Sequence, residues 1–177
     1  MAGIMLICAM WTKEESMFKV GDLAVYPAQG VGVIEAIESK EFVGERHDFY
    51  VLRIIDSDMT IMIPVGNAGN VGMRSLISKD RVAGVYDVLG DKPEDAQCLA
   101  SWSRRQRDYN EKIKSGDLFE VAEVLRDLYL IREEKELSYG EKKVLELARK
   151  LLVKEVALAD GTEEESVVQR VESIFIH

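Results

Sequence analysis

The sequence predicts an α+β fold: a small antiparallel β-sheet or barrel, followed by an all-α helical bundle. Two patterns and their meeting point predict it. Residues 18–77 alternate β-branched and aromatic runs with Gly and Asp turns, residues 79–175 repeat apolar side chains at helical spacing, and the change falls near residue 78.

Phe18-Lys-Val-Gly-Asp22 reads as a turn entering Leu23-Ala-Val-Tyr-Pro27. Gly30 and Gly32 open a long strand from Val31 to Glu41, and Val43-Gly44-Glu45 turns the chain back. The third strand runs from Phe49 to Ile55, the polar Asp56-Ser-Asp58 ends it, and Met59 to Val65 forms a fourth. Side chains alternate along a strand, so Tyr50, Leu52 and Ile54 share one face of the third strand and Phe49, Val51 and Ile55 the other. Apolar residues on both faces predict a sheet curled on itself. Val71 to Ile77 offers a candidate fifth strand.

Val82, Val85, Tyr86 and Leu89 form a short amphipathic helix, and Asp91-Lys-Pro-Glu-Asp95 breaks it. Residues 102–115 form a charged helix ended by Ser115-Gly116. Asp117 caps the next helix, with Glu120 at the capping-box position and a stripe of Leu118, Val121, Ala122, Leu125, Leu128 and Tyr129. Ser138-Tyr-Gly-Glu141 is a second capping box, opening a helix that turns Val144, Leu147, Ala148, Leu151 and Leu152 inward. Thr162-Glu-Glu-Glu165 caps a last helix ending near Phe175. These stripes have the spacing of packed core rather than of cofactor boxes. The expected organisation is therefore a β-module at 17–78 and a helical domain at 79–177. Met17 directly precedes the first organised motif, so residues 1–16 are read as a disordered extension or a start-site artefact.

Composition narrows the function classes. With 47% hydrophobic and 31% charged residues, the chain can bury a real core. No apolar stretch approaches the ~20 residues of a membrane helix, and the apolar run Met1–Trp11 lacks the positive start of a secretory signal. The cysteines Cys8 and Cys98 make neither a disulfide framework nor a zinc site, and they fit a reducing cytoplasm. No Gly-x-x-x-x-Gly-Lys-Ser/Thr loop is present, and Gly30-Val-Gly32 is turn chemistry rather than a dinucleotide site. The histidines are His47 and His177, too few for a His-based triad or a His-rich metal site. The many Glu residues lie mostly on solvent faces of predicted helices, which is a solvated surface rather than paired acid–base chemistry. An enzyme is not expected, and no metal or small-molecule cofactor is implied.

A net charge of −9 argues against indiscriminate nucleic-acid binding, because phosphate neutralisation supplies most of that affinity. Within this acidic chain, Trp102-Ser-Arg-Arg-Gln-Arg-Asp-Tyr-Asn-Glu-Lys-Ile-Lys114 is a basic island. Helix geometry places Arg104, Arg107 and Glu111 on one flank and Arg105, Tyr109 and Lys112 on another. A basic helix start beside an aromatic ring suits phosphate contact with base stacking or wedging. A packed tryptophan and a solvated basic face give the same pattern, and periodicity alone leaves both open. Lys142-Lys143 forms a second basic cluster at the start of the Ser138-capped helix.

These segments resemble the CarD/CdnL family of bacterial transcription regulators. Phe18-Lys-Val-Gly-Asp-x-x-Val-Tyr-Pro27, Gly30-Val-Gly32, Phe49-Tyr-Val-Leu52 and Ile61-Met-Ile-Pro64 are similar to the polymerase-interacting module of that family. Trp102-Ser-Arg-Arg105, Lys114-Ser-Gly116, Ala122-Glu-Val-Leu-Arg-Asp-Leu128 and Leu137-Ser-x-Gly-Glu-Lys142 are similar to its C-terminal domain. The resemblance implies a Tudor-like (SH3-like) module docking on the β subunit of RNA polymerase, partly by strand addition. Lys40, Arg53, Ile61, Met62 and Pro64 would carry that docking. Some relatives place arginines at the positions of Lys40 and Met62, so ion pairing here is weaker, with Arg53 a substitute donor.

The resemblance also implies that Trp102 wedges at the upstream edge of the melted promoter. Arg104, Arg105, Arg107 and Lys142 would hold phosphates. The expected protein is a cytoplasmic, monomeric activator that stabilises polymerase–promoter open complexes. A polymerase-binding module acting without DNA contact is the alternative. A fragment of a transcription-repair coupling factor would share the β-module, but this chain carries no ATPase motif.

Overall fold

The computed structural model describes residues 17–93 and 101–176. The expected extension at 1–16, both cysteines and His177 lie outside them. Strands β1 (Leu23–Tyr26), β2 (Gly30–Phe42), β3 (Glu45–Ile54) and β4 (Thr60–Pro64) form one antiparallel sheet in the order β1-β2-β3-β4. Helices α1 (Val82–Gly90), α2 (Trp102–Ser115), α3 (Leu118–Glu134), α4 (Tyr139–Asp160) and α5 (Glu164–Phe175) follow.

The sheet curls into a half-barrel around Phe18, Ala24, Ile34, Tyr50, Leu52 and Ile63. A bulge between Ile34 and Ala36 bends β2, as an extra residue in one strand does. The two-residue turn Val43-Gly44 has positive φ at both positions (53° and 79°), the geometry that matches hairpin twist. Nothing in the structure explains a valine in that exposed, strained position. The two-sided apolar pattern has a second cause besides curling: Val25 and Val31 face outward and are buried where the helices cover that end of the sheet.

Residues 71–77 do not add a fifth strand. Arg74 makes a single bridge to Val25, with N–H···O distances of 2.7 and 3.1 Å, which closes the β1 edge. The β4 edge has no partner strand among the described residues.

Gly32 sets the spacing of β2 and β3. A Cβ there would lie 2.7 Å from Leu52 Cδ1 and 2.8 Å from the Arg53 carbonyl oxygen. The carbonyl is backbone and cannot rotate away. Gly32→Ala is therefore expected to destabilise the protein by about 1–3 kcal/mol, seen as a lower Tm in thermal unfolding. An unchanged Tm would mean the strands separate at no cost.

The helices share one core that runs from Val85 and Leu89 through Tyr109, Ile113, Leu125 and Leu128 to Leu152, Val156 and Val171. Ser138 and Glu141 form the expected reciprocal capping box. Asp117 caps α3 through the Phe119 N–H (2.8 Å), but no box closes with Glu120, because the Asp117 N–H donates to Ser115 Oγ instead (3.2 Å). The last helix starts after Glu163 rather than at a Thr162 cap. Thr162 is already used: its N–H bonds the Ala157 carbonyl behind the left-handed Gly161 that ends α4. In α4 the buried stripe is Leu145, Ala148, Leu152 and Val156, and Leu147 faces solvent.

Candidate functional site

The start of α2 and the start of α4 meet. Trp102 is half-buried against the helical core, and its indole lies over Gly140. A Cβ on Gly140 would come within 2.9 Å of Trp102 Cζ2, so only glycine leaves room for the ring in this seat. Trp102 is thus partly packed and partly accessible, rather than a freely projecting ring.

Arg105 holds this junction from beneath. Its guanidinium and the Glu141 carboxylate are 3% and 2% exposed and meet at 2.7 Å. The guanidinium also lies 5.6 Å from the Trp102 ring centre. Burial pushes the Glu141 carboxyl up, but the Ser138 N–H, Arg105, the Ser138 hydroxyl and Lys135 together outweigh it. The carboxyl is lowered from 4.5 to about 2. Burial likewise disfavours the Arg105 charge, and hydrogen bonds to Glu141 and Tyr109 overcome it, leaving the guanidinium above its ordinary value. Arg105 was expected to bind phosphate. The structure corrects that: it belongs to the buried stripe Arg105–Tyr109–Ile113, whose i, i+4, i+8 spacing signals an inward face. Lys112, on the same flank, is taken by Glu123 at 2.6 Å.

The other flank is exposed. Arg104 has no ion-pair partner among the described residues, and Arg107 pairs with Glu111 at 3.3 Å on the surface. Lys142 is exposed and bonds Glu136 at 3.0 Å. Sequence reasoning missed Tyr139, which is 74% exposed beside Gly140, with Lys143 Nζ 4.7 Å from its ring centre. Its position directly after the Ser138 cap was the available signal.

On the sheet, register decides which residues share a face. Val51 pairs with Met62, Phe49 with Pro64 and Arg53 with Thr60, so Arg53, Met62 and Pro64 lie on the outer face. Lys40 joins them across β3: its Nζ lies 3.4 Å from Met62 Sδ. Arg53 is held by Glu35 (2.5 Å) and Asp58 (3.1 Å). Ile61 does not belong to this group. It pairs with Leu52 on the inner face and packs against the sheet core, so its expected docking role is corrected to a structural one.

Comparison with known proteins agrees with this architecture. A family model described as "CarD-like/TRCF RID domain" matches residues 18–77, and one described as "CarD, C-terminal domain" matches residues 84–172. A Bacillus subtilis (strain 168) protein described as "Putative transcription factor YdeB" is 36% identical over 151 residues, spanning 85% of this chain and 97% of the relative. A solved structure titled "CdnLNt from Myxoccoccus xanthus" is 56% identical over 34% of this chain and 86% of its own, with a TM-score of 0.30. The family matches, together with the four-stranded curled sheet, define a transcription regulator with a Tudor-like module and a helical C-terminal part. The chain belongs to the CarD/CdnL family. Among the described residues, no helix is long and apolar enough to cross a membrane.

Proposed function

We propose that the protein binds the β subunit of RNA polymerase through the outer face and open β4 edge of its sheet. From there it stabilises the promoter open complex through Trp102, with Arg104, Arg107 and Lys142 on the flanking phosphates. Tyr139 and Lys143 extend the same face. The observation that carries this reading is the Trp102–Gly140 junction, which gathers exposed basic side chains and two accessible aromatic rings within an acidic chain. The β4 edge supports strand addition, because the opposite edge is already closed by Arg74.

The energetics are compatible with a weak but selective contact. Exposed pairs such as Arg107–Glu111 and Lys142–Glu136 are worth roughly 0–1 kcal/mol, so phosphate can displace the carboxylates. An aromatic ring that stacks only on an unstacked base favours the melted state by about 1–3 kcal/mol, a ten- to hundredfold shift in opening. Tethering to polymerase supplies the effective concentration that net negative charge denies. With both surfaces on one chain, a monomer suffices.

Trp102→Ala tests the reading through open-complex lifetime with purified holoenzyme. Wild type is expected to lengthen it about ten- to hundredfold, and the variant to lose most of that while binding polymerase normally. A specific observation favours the second reading, action on polymerase without DNA contact: Trp102 packs on the helical core. Equal lengthening by both proteins would select it.

A further inference from the structure

Arg74 sits between the sheet and the helices and bonds to both. Its backbone bridges Val25 of β1, and its Nε donates to the Gly116 carbonyl between α2 and α3 at 2.7 Å. Its two terminal nitrogens donate to the two oxygens of Glu155 on α4, at 2.6 and 3.0 Å. Glu155 is only 3% exposed and also accepts the Ile77 N–H at 2.9 Å. The surrounding seam is close-packed. A Cβ on Gly72 or Gly116 would lie 3.0 Å from Pro27 Cγ, and the cavity along the seam is about 20 Å³. The preceding residue of α4 makes a second tie: Lys154 bonds Asp56, in the turn after β3, at 2.9 Å and also reaches Glu164.

These ties grip α4 at residues 154–155, while its first turn carries Gly140 and Glu141 beneath Trp102. At 1.5 Å per residue, about 22 Å of continuous helix joins the two points. A hydrogen-bonded helix of that length transmits position instead of absorbing it.

We infer that Arg74 and Glu155 are positioning residues: by locking the sheet to α4 they fix Trp102 relative to the polymerase-docking face. This rests on the function proposed above and deepens it. A flexible linker would deliver the tryptophan to the fork as one of many arrangements, and ordering it there would consume part of the contact energy. The locked seam removes that cost before docking.

The test separates position from affinity. In a Cys8→Ser, Cys98→Ser background, spin labels at Glu41→Cys on the sheet and Gln106→Cys on α2 report the distance between the two parts in the full-length free protein. Wild type is expected to give one narrow distance distribution and Arg74→Gln a broadened one. With unlabelled protein, Arg74→Gln is expected to bind holoenzyme within about twofold of wild type, yet lose about tenfold of the open-complex lengthening. Should Arg74→Gln fail to fold, Glu155→Gln is the second variant, since its amide oxygen still accepts the Ile77 N–H. Equal distance widths would overturn the clamp, and a broadened distribution with unchanged lifetime would overturn its positioning role. If wild type itself did not lengthen the lifetime, the proposed function would fall, and the distance widths would still decide the clamp.

Discussion

Replacing Glu141 with alanine is expected to lower stability by about 3–5 kcal/mol, because it strands the buried Arg105 charge without its carboxylate. The loss should fall on the junction first. Arg105, the α4 cap and the seat of Trp102 all meet at Glu141, so the indole environment should change below the main transition. The same carboxylate gives the protein an acid limb. Its folded value of about 2 lies below the ordinary 4.5, so the unfolded chain binds the proton more tightly. The contribution is therefore complete above about pH 4.5 and is lost as pH falls through 4.5 toward 2, reaching about 3 kcal/mol. Urea titrations of wild type and Glu141→Gln at pH 7 and pH 3 measure it. The difference between them should shrink at the lower pH, and a constant difference would show that the carboxylate titrates no differently when folded.

What the sequence made legible was local. The Ser138–Glu141 box and the left-handed Gly116 that ends α2 involve residues within a few positions of one another, and each was readable from its own segment. The helix phase at Arg105 was readable too, from its spacing to Tyr109 and Ile113, but the charge invited a surface role. Ile61 and Met62 are neighbours in a strand and so cannot share a face, yet which one turned outward depended on the pairing of Ile61 with Leu52. The rest was set by distant partners. Arg74 and Glu155 are separated by 81 residues and Arg105 and Glu141 by 36, and no periodicity in either segment announces the other. The same holds for Trp102: a helix start predicts an accessible ring or a packed one, and only Gly140, arriving from another helix, makes it partly both.

That alternation gives the clearest test of the proposed docking face. Met62 is 40% exposed in the middle of the outer surface, with Lys40 Nζ beside its sulfur. An aspartate there removes the apolar contact and engages Lys40 in a local ion pair, at little cost to a solvent-facing strand position. Met62→Asp is therefore expected to keep the wild-type Tm and to weaken holoenzyme binding on the order of a hundredfold, the size of a central interface residue. Ile61→Asp, one residue away, should behave in the opposite way. Its carboxylate would enter the inner face against Leu52 without a partner, so Tm falls and any loss of binding follows unfolding. Calorimetric melts and polymerase titrations on the two variants separate the faces. If Met62→Asp bound holoenzyme as tightly as wild type, the outer face would not be the docking surface, and the contact would have to run through the β4 edge backbone alone.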